Sequence, residues 1–365
     1  MNRQDVTTAT RAIDRQLSPL EAKTKAIVAK KHEFPEKIRP SIDEALRDNL
    51  EPAAFLSSVE KRLTELIWAN WNVRGDIDES KGLNRDRDTE AQVETALRFF
   101  PRVLFTKHED HVYPIWAQIA TREDKCNIKA AFFVPLFAKL GIELGLFEKE
   151  KRGGLLSVKH SAPINVLESL STGQPNRAYR DVKHLRLADE TYLDVLHRLR
   201  LVGLFRKEDI ARYHLIHRNL AYGYGFFEQQ FRYLMDWDPT SFMSCRWGGC
   251  LPIHTATCAY YLYQSSGNEK KFRTIFDIGL RHFPKEMGGL FHLGSYDMTP
   301  WNRMDGGHRE GLLEAVFSRH GNNVNLLLES LVYASSEEMV HLDAVFLLLQ
   351  RILQIETSVV PCIEG

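Results

Sequence analysis

Three cysteines and one histidine lie close together in the second half of the chain, in the pattern Cys245-x4-Cys250-x3-His254-x3-Cys258. Thiolate and imidazole are the ligands that a tetrahedral zinc ion prefers. Structural zinc sites, however, usually hold two cysteines roughly two to four residues apart and a second pair across a longer loop. Two hypotheses are therefore open: a zinc-binding or hydrolytic site, or cysteines that pack as small hydrophobic side chains.

The other histidines and the glycine pairs form no recognised catalytic motif. The chain has no His-Glu-x-x-His pair and no Gly-x-Ser-x-Gly turn, and its glycine pairs lack the lysine of a phosphate-binding loop. His108 and His111 flank two acidic residues and could hold a metal or transfer protons, but a solvated loop is the favoured explanation. We therefore predict no catalytic residue, no cofactor site and no metal site.

The composition argues against several classes of function. The 365 residues include 48 basic and 48 acidic side chains, so no net field attracts nucleic acid or an anionic membrane. The longest apolar runs, at 130–138 and 344–349, are shorter than the roughly 20 residues that cross a bilayer. Five cysteines form no legible disulfide framework, and the N-terminus has no apolar secretory signal. We expect an intracellular, cytoplasmic protein that binds neither nucleic acid nor membrane.

A proline followed by a bulky apolar residue marks the elements that position these side chains. In two copies of the pattern an upstream proline precedes it by 13 positions, and in a third copy by 16. Two weaker copies lie between them. The anchors of the five copies are Ile115, Ile164, Ile216, Ile253 and Trp301. Because proline suits the first turn of a helix, each copy predicts a helix start, and apolar stripes upstream of several copies predict a longer partner helix.

The copy at 251–256, Leu-Pro-Ile-His-Thr-Ala, resembles the Thr-Pro-Leu-His-x-Ala helix start of the ankyrin repeat. The copies at 113–116 and 298–301 resemble it more loosely, and the units are longer than the roughly 33 residues of a standard repeat. The resemblance, to divergent long-unit ankyrin-like proteins, covers residues 90–355. It implies a stack of helix pairs with protruding loops and a partner-binding concave side. It also implies that His254 hydrogen-bonds local backbone and ties neighbouring units.

We therefore predict a mainly α fold, an α-solenoid of stacked helix pairs, in four parts. Residues 1–50 are expected to form a charged, loosely ordered arm, and residues 51–89 a helical cap and linker. Residues 90–335 would form the repeat array, and residues 336–365 a C-terminal helix and tail. The broad apolar arc of the helix at 340–353 must be covered by the tail or by another molecule, which makes this helix a candidate for self-association.

The pattern favours a non-enzymatic scaffold that binds another protein, whose identity stays open. Variable loops between fixed helix starts are the predicted contacts. The candidate residues are Lys107, Glu109, Asp110, Arg246, Trp247, Phe291, His292 and Tyr296. An exposed Trp-Arg pair, as at 246–247, is typical of the anchors of protein interfaces, although the tryptophan could equally fold under its own loop. The alternative function is the zinc or hydrolytic protein built on the cysteine-histidine cluster.

Overall fold

The computed structural model describes residues 18–71, 80–108, 111–120, 127–159, 162–172, 182–220, 226–245, 249–263, 266–294, 298–303, 324–336 and 342–359, and the single positions 309 and 318. Within these ranges the predicted mainly α fold is confirmed, because strands are limited to one short antiparallel pair. Among the helices described, none has the length and apolar character needed to cross a bilayer.

Three helices make up the N-terminal part: α1 (Pro19–Ala29), α2 (Arg39–Arg47) and α3 (Pro52–Trp68). Each has a proline in its first turn, where a backbone N–H would have no helical partner. Helices α1 and α2 both pack on α3, which is the cap helix expected after Pro52. Residues 72–79 of the expected linker lie outside the described residues.

The expectation of a loosely ordered arm is wrong from residue 18 onwards. Ile27, Phe34, Ile38 and Ile42 are completely buried and belong to the main core. Charged residues separate these four in the sequence, so the composition does not indicate an apolar stripe. The four buried side chains are nevertheless enough to attach α1 and α2 to the core. Residues 1–17 lie outside the described part of the chain.

From residue 90 the same order of elements recurs: a first helix, a tight helical turn, a loop and a second helix. The order is complete in three stretches; in a fourth a short helix takes the place of the turn and loop, and in the last a turn takes the place of the second helix. We call these stretches units 1 to 5. Unit 1 holds α4 (Glu90–Phe99) and α5 (Pro114–Ile119) and is followed by a single-turn helix, α6 (Ile128–Ala131); unit 2 holds α7 (Val134–Glu143) and α8 (Val166–Leu170). Unit 3 holds α9 (Val182–Leu201), α10 (Lys207–Arg212) and α11 (Leu215–Leu220). Unit 4 holds α12 (Glu228–Trp237) and α13 (Pro252–Tyr263), and unit 5 holds α14 (Ser266–His282) and the turn at Trp301. In units 1, 2, 4 and 5 the tight turns are the 3-10 segments Pro101–Leu104, Lys149–Gly154, Pro239–Met243 and Met287–Gly289. Two further helices, α15 (Val324–Ser336) and α16 (Leu342–Val359), pack against each other.

Consecutive units contact one another through equivalent helices. In units 1 to 4 the second helices α5 and α8, α8 and α11, and α11 and α13 are in contact, as are the first helices α4 and α7, α7 and α9, and α9 and α12. Four of the five anchors are buried and the fifth, Ile164, is half-buried. The anchors therefore lie in or beside the hydrophobic core.

The predicted helix start at Pro163 is wrong. Strand β2 (Ala162–Asn165) includes this proline and pairs with β1 (Val158–Lys159). Helix α8 begins only at Val166, because the Asn165 side chain accepts a hydrogen bond from the backbone N–H of Glu168 and caps the helix there.

An unusual left-handed turn occurs at the same place in units 2 and 5. Three successive residues have positive φ: 45°, 65° and 95° at 152–154, and 44°, 61° and 79° at 287–289. A Cβ on Gly153 would lie 1.9 Å from a backbone oxygen of α7, and a Cβ on Gly288 would lie 2.9 Å from a backbone nitrogen of α14. Only glycine allows this close packing of turn on helix. The two units thus share a backbone feature as well as a proline pattern.

Candidate functional site

His254, in the first turn of α13, is completely buried and bonds to backbone on both sides. Its Nδ1 accepts a hydrogen bond from the N–H of Leu251 at 3.1 Å, and its Nε2 lies 2.9 Å from the carbonyl oxygen of His292. Because Nδ1 accepts, we assign the proton to Nε2, which donates to that carbonyl. The ring therefore ties the start of α13 to the loop of unit 5.

The surroundings of His254 keep its ring neutral. Burial lowers its pKa to about 4, and the nearby His292 and Arg303 also favour the neutral form. Neither ring nitrogen has a lone pair to spare, since one accepts a hydrogen bond and the other carries the proton. Zinc coordination by His254 would break one of these two bonds.

Two other units make the same kind of connection from the residue that follows their anchor. The Nε2 of His217 donates to the carbonyl oxygen of Cys250 at 2.9 Å, and the indole N–H of Trp116 donates to that of Ser157 at 3.3 Å. As with His254, the acceptor belongs to the next unit each time. We call these three contacts the forward ties.

Ion pairs join units 2 and 3, where no forward tie is made. The guanidinium of Arg152 lies 2.5 Å from the Asp209 carboxylate, and that of Arg218 lies 3.0 Å from the Glu168 carboxylate. All four side chains are largely shielded from water, so screening by salt is weak. Asn165, which follows the anchor of unit 2, instead caps its own helix.

Within the sequence cluster, Cys245 contacts a different histidine, His292, and Cys250 lies near the buried His254. Cys245 is exposed, and its Sγ lies 3.8 Å from Nε2 of His292. Burial and the neighbouring Cys250 raise the pKa of the Cys245 thiol, which disfavours the thiolate that a metal needs. Cys258 lies one turn further along α13, and its side chain is outside the described set. Among the described residues, no three metal-ligating side chains converge.

The eight predicted partner contacts fall into three groups. Five lie outside the described residues: Glu109, Asp110, Arg246, Trp247 and Tyr296. Lys107 is exposed with its Nζ 4.9 Å from the ring centroid of Tyr113, and His292 is half-buried. Phe291 is wrong as a contact, because it is completely buried with its ring 5.4 Å from that of Trp301.

Sequence reasoning missed an exposed ridge where α9 and α12 end side by side. The Arg200 guanidinium lies 3.9 Å from the ring centroid of Trp237 and donates to the hydroxyl of Tyr233. Next to it, Leu201 is 85% exposed. Arginine, tryptophan and tyrosine are the residues most enriched at the centres of protein interfaces. The signal available in the sequence was the spacing of Tyr233 and Trp237, which places both rings on one face of a helix.

No protein-family model, curated protein or solved structure matches the chain. The relation to ankyrin repeats therefore stays a proposal. It depends on the motif at 251–256 and on what the units have in common.

Proposed function

We propose that this chain is a non-enzymatic scaffold, a solenoid of ankyrin-like helix-pair units that binds another protein through its loops. The observation that carries the proposal is the set of forward ties made by Trp116, His217 and His254. Each joins the residue after an anchor to the backbone of the following unit. A chain whose neighbouring segments are joined in the same way is expected to extend as an array.

The contacts between equivalent helices support the same arrangement. The second helices α5, α8, α11 and α13 contact one another in order, and so do the first helices α4, α7, α9 and α12. In such an array each unit buries its apolar side against the next, and the loops at one edge are free to vary. Loops on a rigid framework are common binding surfaces.

The strongly shifted ionisable groups have structural partners, which supports a binding role over a catalytic one. Perturbed pKa values often mark active sites. Here His254 bonds to two backbone groups, the Asp189 carboxylate accepts from the N–H groups that begin α12, and Lys271 donates to the carbonyl oxygen of Leu220 at the end of α11. Each of these groups satisfies backbone at a helix end.

Affinity capture of a partner by the full chain tests the proposal. We expect the substitutions Lys107→Glu and Trp247→Ala, in two different loops, to release a protein that the wild type retains. Arg186→Ala, an exposed position on the outer face of α9, is the matched control and should retain it. If both loop variants retain every partner with unchanged affinity, binding through the loops is wrong.

Metal analysis of the purified protein separates this proposal from the zinc alternative. One equivalent of zinc that is lost on Cys250→Ser would favour a metal site built on the thiols, with His292 in place of His254. Retention of the fold without metal is the result expected for the scaffold.

A further inference from the structure

The hairpin of α15 and α16 carries apolar side chains that remain exposed. Val332 and Phe346 are 63% and 65% exposed, and Leu328 and Leu349 are 41% and 43% exposed. Val345 beside them is half-buried. We call these five residues the end face. A cluster of this size is larger than the scattered apolar residues of ordinary surfaces.

The two helices contribute to the same side of the hairpin. The two helices contact each other, and each has one buried stripe, which includes Leu327 on α15 and Leu348 on α16, so we place these stripes against each other. At 3.6 residues per turn, Leu328 and Leu349 each lie about 100° around their helix from the buried stripe, in the same rotational sense. Only five residues separate the helices, so they are antiparallel neighbours. In an antiparallel pair the same sense of rotation leads to the same side, and the two stripes join into one face.

We propose that the end face pairs with the end face of a second copy of this chain and forms a four-helix bundle across a two-fold axis. A two-fold interface requires a surface that complements itself. The rim of the face has this property, because Lys285 and Glu329 lie side by side with 3.2 Å between Nζ and Oε1. Rotation by two-fold symmetry can place the cation of one copy beside the anion of the other. Equal numbers of basic and acidic residues, 48 each, remove any net repulsion between copies.

The size of the face sets the strength of the pairing. Helices of 13 and 18 residues, about 1.5 Å long per residue and about 11 Å wide, present roughly 500 Å² per copy. The pair would bury about 1,000 Å², at the lower limit for a specific interface. An interface of this size is expected to be weak and reversible.

Sedimentation equilibrium of the full chain over a range of concentrations tests the proposal. The wild type is expected to rise from the 42.1 kDa monomer to twice that mass. The double substitution Val332→Asp with Leu349→Asp places charges in the centre of the face and should raise the dissociation constant at least about tenfold. Leu201→Asp is the matched control, since Leu201 is the most exposed of the large apolar side chains described but lies at the end of α9. An unchanged circular dichroism spectrum shows that each variant is folded.

The rim charges give a second test that does not alter the apolar core of the interface. Lys285→Glu and Glu329→Lys should each weaken the homodimer, because like charges then meet across the axis. A mixture of the two single variants should associate more tightly than either variant alone. A wild type that stays monomeric, equal dissociation of the Leu201→Asp control, or a mixture no tighter than its components would overturn the proposal. These readouts are independent of the loops, so their failure would leave the scaffold proposal intact.

Discussion

The protonation state of His254 is fixed by one backbone donor and one backbone acceptor. The ring accepts from Leu251 at Nδ1 and donates to His292 at Nε2. A proton added at Nδ1 would place two donors face to face in a buried site. Burial lowers the pKa of His254, and protonation of the ring would also break its bond to Leu251.

We expect acid to weaken the fold through His254. Its folded pKa of about 4 lies below the ordinary 6.5, so its contribution to stability is complete above 6.5 and is lost as the pH falls toward 4. The whole loss is on the order of 3 kcal/mol. Urea unfolding at several pH values measures it. His254→Gln keeps a donor and an acceptor without titrating and should flatten this dependence, whereas His32→Gln, at an exposed side chain, should not. Equal pH slopes for wild type and His254→Gln would contradict the assignment.

Asp189 is expected to act in the opposite direction. Burial raises its pKa to about 6, although the N–H groups of Gln229 and Gln230 pull it down. Its folded pKa lies above the ordinary 3.8, so its contribution is complete below 3.8 and is lost as the pH rises through 6. In wild type the raised pKa of Asp189 therefore offsets part of the destabilisation that His254 causes in acid. Asp189→Asn removes this offset, and the same urea series should show a steeper loss of the free energy of unfolding on acidification than in wild type. A shallower loss would mean that the sign is wrong.

At the scale of elements, the left-handed turns at 152–154 and 287–289 bring a loop into contact with the helix before it. In both turns a glycine contacts helix backbone directly, so no space is left for a side chain between turn and helix. The short segment that follows is thereby aimed into the core, which is why Phe291 is buried despite its place in a predicted loop.

Alanine substitutions should separate the cost of close packing from the cost of backbone strain. Gly153→Ala has both, because φ is positive and the new Cβ would meet a backbone oxygen. Gly203→Ala has only the strain, since φ is 73° and no atom lies within 4 Å of the new Cβ. We expect about 1 kcal/mol of destabilisation for Gly203→Ala and at least about 3 kcal/mol for Gly153→Ala. Chemical unfolding of both variants measures the difference, and equal losses would show that the helix can move away.

The sequence predicts several helix boundaries correctly from proline, but at Pro300 the structure has a turn instead of the predicted helix start. Helices α5 and α13 begin at Pro114 and Pro252, and α14 ends before Phe283. It fails where a neighbouring residue competes, as Asn165 does with Pro163 for the start of α8. Both contacts of His254, to local backbone and to the next unit, followed from the ankyrin resemblance. The burial of Phe291 could not be predicted, because it depends on three successive positive φ angles, and glycine is the only residue type that indicates such angles.

For the whole molecule, the forward ties join consecutive units, and unit 3 also contacts unit 1, where the Tyr192 hydroxyl donates to the carbonyl oxygen of Ile119 and Arg198 pairs with Glu90. In the proposed array the stability of units 4 and 5 is expected to be local, with their interface adding its own contribution. A single compact globule would instead gain or lose stability throughout.

Hydrogen exchange distinguishes these two cases. His254→Ala removes the tie between units 4 and 5 and should increase amide exchange in α13 and α14. Exchange in α1, α2 and α3, at the other end of the chain, should stay at the wild-type rate. Mass spectrometry of peptic fragments measures both regions in one experiment. A uniform increase along the chain would favour one cooperative globule over an array.

The forward ties all run in one direction along the chain, and this has a consequence for biosynthesis. The carbonyl groups that accept from Trp116, His217 and His254 are synthesised 33 to 41 residues after these donors. A nascent chain that has just completed one of these units therefore ends in a buried donor with no acceptor, until the next loop leaves the exit tunnel. Assembly is thus expected to follow the order of translation, and a ribosome stalled inside unit 4 would hold His217 with its bond unmade.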